Sequence, residues 1–166
     1  GRCLCSICRE TVVNDLDEAK GIMVDIIETL RSRGIDIKEK KIPLELTDSN
    51  RLRRLSGNPD ENAAGYTSYT KKSILHGAWS FKDFGISVLY GMPRAEFIFT
   101  LAHELMHVWL FKYGKSEMAP PLTEGSCQYA AMLAIAGLEG EEADIVRLRA
   151  IENLDPIYGD GYRQVD

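Results

Sequence analysis

The chain of 166 residues has no run approaching the roughly 18–20 apolar residues that a membrane span needs. It has no charged, apolar and small-residue succession of the kind that marks a secretion signal. It also lacks an excess of basic charge: 20 Lys and Arg against 25 Asp and Glu leave a net charge of −5. That excludes the basic stripe of a nucleic-acid footprint. The single basic cluster, Arg51, Arg53 and Arg54, reads as the solvated side of a short helix. Histidine is scarce, at three, and cysteine is limited to four. What remains is 45% hydrophobic and 27% charged, in a chain long enough for one cored domain.

Three of the cysteines, Cys3, Cys5 and Cys8, crowd within six positions, and Cys127 stands apart. Tight spacing without a secretion signal points to metal binding before disulfides. A reducing compartment, and with it a cytoplasmic location, is the expectation. A tetrahedral structural site needs four ligands, so Cys3, Cys5 and Cys8 are candidates for a second metal site only with a further group.

Hydrophobic periodicity predicts a helix over about 15–33, with Leu16, Ala19, Met23, Ile26 and Leu30 as its stripe and Ile22 and Ile27 widening it. Asp15 with Glu18 resembles a capping box, and Gly34 supplies a stop. Alternation at Ile42, Leu44 and Leu46 predicts a strand that Pro43 places at an edge or at its start. Residues 48–65 read as a long polar loop with one helical turn. Tyr66–Thr70, Ile74–Phe81 and Ile86–Tyr90 read as strands. A helix over about 94–112 is apolar around most of its girth and therefore buried. Its exception is a strip of Glu96, Thr100, His103, Glu104 and His107. Further helices are expected over about 122–136 and 141–153, and the tail at 158–162 reads as a turn.

The segment His103-Glu104-Leu105-Met106-His107 carries the chemistry. Residues four apart share one helix face, so both imidazoles reach one ion. Zinc accepts imidazole nitrogen and, in catalytic sites, keeps a position open for water. It lowers the pKa of that water to about 7, and Glu104 stands placed to take the proton and hand it to a leaving amine. Without a metal, a polar strip on a buried helix is costly. No histidine follows at the further spacing that a His-x-x-Gly-x-x-His extension needs, since Leu110 and Tyr113 occupy those positions. A carboxylate is the expected third ligand. Glu124, opening the next helix, is the first choice, Glu117 the second, and Cys127 a further candidate. Candidates for the donor to a developing oxyanion are Tyr158, Tyr162 and His76. A strand such as Ile86–Tyr90 is a candidate to pair with an extended substrate.

The segments Leu89-Tyr-Gly-Met-Pro-Arg94, Leu101-Ala-His-Glu-Leu-Met-His-Val-Trp-Leu110, Glu124-Gly-Ser-Cys-Gln128 and Tyr158-Gly-Asp-Gly-Tyr-Arg163 occur here in order. A softer match runs from Cys5-Ser-Ile-Cys8 through Ile42-Pro-Leu-Glu-Leu46. With these the chain resembles the peptidase domain of the LIM-associated plant organ-size metallopeptidases (DA-one type) and their bacterial relatives. The resemblance implies an α+β, zincin-like, gluzincin-type fold: a small mixed or antiparallel sheet packed on helices, one carrying the His-Glu-x-x-His motif. It implies one catalytic zinc with Glu124 as third ligand, and a protein or peptide as substrate. Residues 1–12 then correspond to a residual LIM-like or zinc-ribbon-like segment, and 13–166 to the peptidase domain. The ubiquitin-interacting motifs and complete LIM-like region of the plant enzymes have no counterpart in this sequence, so activation by ubiquitination is not carried over. The alternative expectation is a zinc-binding but proteolytically silent regulatory or interaction domain.

Overall fold

The computed structural model describes residues 5–39, 41–57, 63–73, 79–113 and 118–165. After a short helix α1 (Ser6–Glu10), helix α2 (Leu16–Ser32) starts where Asp15 Oδ1 accepts from the N–H groups of Asp17 and Glu18, at 3.0 and 2.8 Å. This satisfies donors that a helix leaves orphaned at its start. The buried stripe is Ala19, Ile22, Ile26 and Leu30. Leu16 is exposed and Met23 only partly buried, so the apolar face centres on Ile22 rather than on Met23. Gly34, at φ 89°, closes the turn after the helix.

Strands β1 (Leu44–Thr47), β2 (Gly65–Ser73) and β3 (Trp79–Leu89) form one mixed sheet in the order β1-β3-β2. β1 runs parallel to β3 and β2 antiparallel to it. Pro43 precedes the edge strand β1, and its carbonyl accepts from Ile86 N–H at 2.9 Å. The two strands expected at 74–81 and 86–90 are replaced by β3, continuous from Trp79; residues 74–78 lie outside the described residues. Ser68 faces Gly85 and Thr70 faces Lys82, so Tyr69 alone opposes Asp83 and Phe84. This bulge, with Asp83 at φ 53°, absorbs the polar interruption that broke the strand pattern in the sequence.

The loop expected over 48–65 contains helix α3 (Ser49–Ser56), capped by the Asp48 carboxylate and stopped by Gly57 at φ 71°. One fully buried residue, Leu52, anchors it; Arg51 and Arg54 are exposed and Arg53 is half-buried. Helices α4 (Arg94–Lys112), α5 (Pro120–Ile135), α6 (Glu141–Ile151) and α7 (Gly159–Val165) complete the chain. α4 is the central element, packed against the sheet, α2, α5 and α6 through Phe97, Leu101, Leu105 and Val108, all fully buried. At its start Pro93 offers no side-chain cap. Glu142 of α6 does so instead, accepting from Ala95 N–H through one oxygen and from Thr11 Oγ1 at 2.6 Å through the other.

The tail expected to turn is helical. Asp155 Oδ1 accepts from Ile157 and Tyr158 N–H at 2.8 and 2.9 Å and starts α7. Its glycines serve close approach rather than turning. A Cβ on Gly125 of α5 would stand 2.2 Å from the Gly161 carbonyl, and one on Gly161 would stand 2.2 Å from the Pro121 oxygen. The architecture is α+β, with helices around a three-stranded sheet. Among the described residues, no helix is long and apolar enough to cross a membrane.

Candidate functional site

α4 presents His103, Glu104 and His107 towards α5, and α5 returns Glu124 to meet them. Glu124 Oε2 lies 3.1 Å from His103 Nε2 and 3.5 Å from His107 Nε2, and the two nitrogens are 3.2 Å apart. Although so close to both rings, this carboxylate oxygen is buried and accepts no hydrogen bond. Burial opposes its charge, but the polar contacts with His103 and His107 outweigh burial and hold the carboxyl at about 2. Burial likewise works to strip the proton from His107. The contact with Glu124 and the charges of Glu104 and Glu124 outweigh it and raise the pKa. The three groups thus converge around an ionised carboxylate, and these three can hold a cation.

Cys127, one turn beyond Glu124, is fully buried, and its Sγ and the two imidazoles have ligand atoms within 4.8 Å of one another. Burial, then the charges of Glu124 and Glu104, push its thiol well above the usual range. Cys127 and Glu124 are thus both placed to complete a three-donor set with the two histidines, Cys127 as a thiol that a bound dication would deprotonate and Glu124 as a carboxylate already ionised. Glu117 lies outside the described residues.

Glu104 is 6% exposed, and its position is fixed from the sheet. Thr67 of β2 donates its hydroxyl to Glu104 Oε2 at 2.6 Å and approaches the Glu104 carbonyl oxygen at 3.1 Å. Beside it, a Cβ on Gly65 would stand 2.7 Å from Glu104 Oε1 and 2.9 Å from the Thr100 methyl. Only glycine lets the strand come this near. The site opens into a cleft of about 560 Å³ bounded by β2, α4 and α5. Tyr158 borders it, its ring centroid 6.2 Å from that of His103, placed there by the contact between α5 and α7. Phe111 stacks on His107 at the opposite end, at 6.1 Å.

A family model described as Protein DA1, of the DA1-like type, matches residues 31–150. The chain belongs to the DA1-like family. It is 26% identical over 155 residues to Protein DA1-related 7 of Arabidopsis thaliana, covering 76% of this chain and 28% of that protein. It is also 26% identical over 170 residues to Protein DA1-related 1 of the same plant, covering 85% of this chain and 30% of the relative. To Protein DA1-related 2 it is 46% identical over 56 residues, 34% of this chain and 10% of that one. This DA1-like chain therefore spans less than a third of the length of these relatives. No solved structure matches it.

Of the residues singled out in the sequence of this DA1-like chain, His103, Glu104, His107, Glu124 and Tyr158 share one cleft. Tyr162, on α7, is buried and does not line it. His76 and Cys3 lie outside the described residues. Cys5 Sγ accepts from Cys8 N–H at 3.4 Å and caps α1. Among the described residues, no group of three ligating side chains includes Cys5 or Cys8. The strand proposed to receive substrate, Ile86–Tyr90, belongs to β3, which is paired on both sides and so has no backbone groups to offer. Thr67 and Gly65 are the site residues that sequence reasoning missed. The small-residue run Ala63-Ala64-Gly65 opening a strand was the available signal of a close approach.

Proposed function

We propose that this chain is a zinc-dependent metallopeptidase domain of gluzincin type, on a zincin-like fold, that hydrolyses peptide bonds in protein substrates. The observation that carries the reading is the donor triangle. Donors bound at about 2.0–2.1 Å to a tetrahedral ion stand about 3.3–3.4 Å apart. The sides of the triangle formed by His103, His107 and Glu124 are 3.1, 3.2 and 3.5 Å. Two histidines and a glutamate are a known catalytic zinc set, and the orphaned Glu124 oxygen is consistent with a missing positive partner. On this reading residues 13–166 form the peptidase domain and 1–12 a residual cysteine segment.

A bound zinc supplies Lewis acidity, polarising a carbonyl and lowering the pKa of water. The remaining work belongs to the chain. Glu104, oriented by Thr67, takes a proton from the attacking water and returns it to the leaving amine. The Tyr158 hydroxyl donates to the oxygen on which negative charge develops. β2, at an edge of the described sheet and bordering the cleft, offers its backbone to an extended peptide.

The test compares wild type with Glu104→Gln for metal content and for fragments released from a protein library. About one zinc in each, with cleavage lost only in the variant by a factor of about 10²–10⁴, supports the proposal. Zinc in both with cleavage by neither overturns the peptidase reading in favour of a silent metal-binding domain.

A further inference from the structure

Side chains alternate along a strand, so Gly65, Thr67 and Tyr69 of β2 share one face. Thr67 identifies it as the face towards α4, since its hydroxyl reaches Glu104. On α4, His103, His107 and Phe111 follow one another at one-turn spacing along the cleft. Strand and helix meet through Glu104 at Gly65 and Thr67. Further along they meet as rings. The Tyr69 ring centroid lies 4.4 Å from that of Phe111, tilted by 46°, and 5.2 Å from that of Phe81. Phe111 in turn stacks on His107 at 6.1 Å. An aromatic cluster thus starts at one of the proposed ligands and runs out along the cleft.

The two ends of this cluster differ in exposure. Phe81 is buried at 8%, whereas Tyr69 keeps 40% of its surface open although two rings pack on it. Tyr69 and Phe111 both line the cleft. Tyr69 also sits at the bulge, opposite Asp83 and Phe84, a device that re-aims side chains beside sites. The chemistry of the surroundings selects the occupant. A carboxylate would lose its hydration against the rings and gain no cationic partner from the described lining; Lys71, 5.8 Å from the Phe81 ring, does not belong to it. A cationic chain would be repelled by a dication held at His107. A flat apolar ring loses nothing on leaving water and gains the offset or edge-on contacts that the cluster already uses.

We propose that Tyr69 and Phe111 form a subsite for an aromatic side chain of the peptide substrate, seated beside His107. The occupant's being a substrate residue rests on the peptidase reading; the preference of this surface for a ring does not. The experiment uses the whole chain and short blocked peptides carrying phenylalanine, leucine, alanine or glutamate at successive positions. Binding is measured by calorimetry on zinc-loaded Glu104→Gln protein, and cleavage on wild type. At one position, phenylalanine is expected to bind about tenfold tighter than alanine and about threefold tighter than leucine. Adding Tyr69→Ser, or Tyr69→Leu should serine impair folding, should bring phenylalanine and leucine within about 1.5-fold of each other at unchanged zinc content. Tyr69→Arg should turn the selectivity towards glutamate at that same position. Phenylalanine binding no tighter than leucine at every position, or a preference untouched by loss of the Tyr69 ring, overturns the subsite. Tyr69-dependent phenylalanine binding without cleavage by wild type upholds the subsite and removes the peptidase reading. Cleavage indifferent to phenylalanine does the reverse.

Discussion

Glu104 is held from two sides, by the Thr67 hydroxyl on one oxygen and by the bare Cα of Gly65 beside the other. Both contacts reach across from the sheet, 37 residues away in the chain for Thr67. Thr67→Val is expected to lower kcat about tenfold with little change in KM or zinc content, because the base loses its orienting donor but stays in place. Gly65→Ala inserts a methyl where Glu104 now sits. Cleavage should fall by more than about tenfold while metal analysis stays unchanged, since the ligand triangle is untouched. The motif residues themselves were legible in the sequence, because a four-residue spacing fixes which side chains share a helix face. Thr67 and Gly65 were not, because no spacing rule tells which residue of a strand will lie against a helix that follows so much later.

At the scale of elements, the legible parts were those whose pattern repeats. α4 emerged with the bounds read from its apolar girth and from Pro93 before it. α3 was read only as a short helical turn within a loop because a single buried leucine carries no period, and β3 was split because its bulge interrupts the alternation. α7 was misread because glycine signals both turns and tight helix contacts, and only the partner distinguishes them. Gly125 is such a partner: Gly125→Ala drives a methyl into the Gly161 backbone. It should destabilise the domain by about 1–3 kcal/mol in chemical denaturation and weaken activity through Tyr158. Glu142→Ala removes the borrowed cap of α4 and is expected to cost about 1 kcal/mol by the same measurement.

For the molecule as a whole, the proposed metal site would link metal binding to folding. Chelation should lower the thermal midpoint, and added zinc should restore it in proportion to the logarithm of its concentration. Protons would compete with the proposed zinc for His107, whose pKa lies above the ordinary imidazole value of 6.5. As pH falls through that raised value the nitrogen is taken by a proton. Apparent zinc affinity should then drop about tenfold per pH unit, with the decline beginning above pH 6.5; competition titrations with a chromophoric chelator would trace it. The family match extends over residues 31–150, and the candidate cleft draws on Tyr158 just beyond it. A final consequence lies in the electroneutrality of the cleft. Two carboxylates, Glu104 and Glu124, face a space whose described lining contains neither lysine nor arginine. A dication cancels that deficit, whereas a lone sodium ion would leave half of it standing. On the proposed reading, the wall thus calls for a divalent ion before any coordination preference is considered.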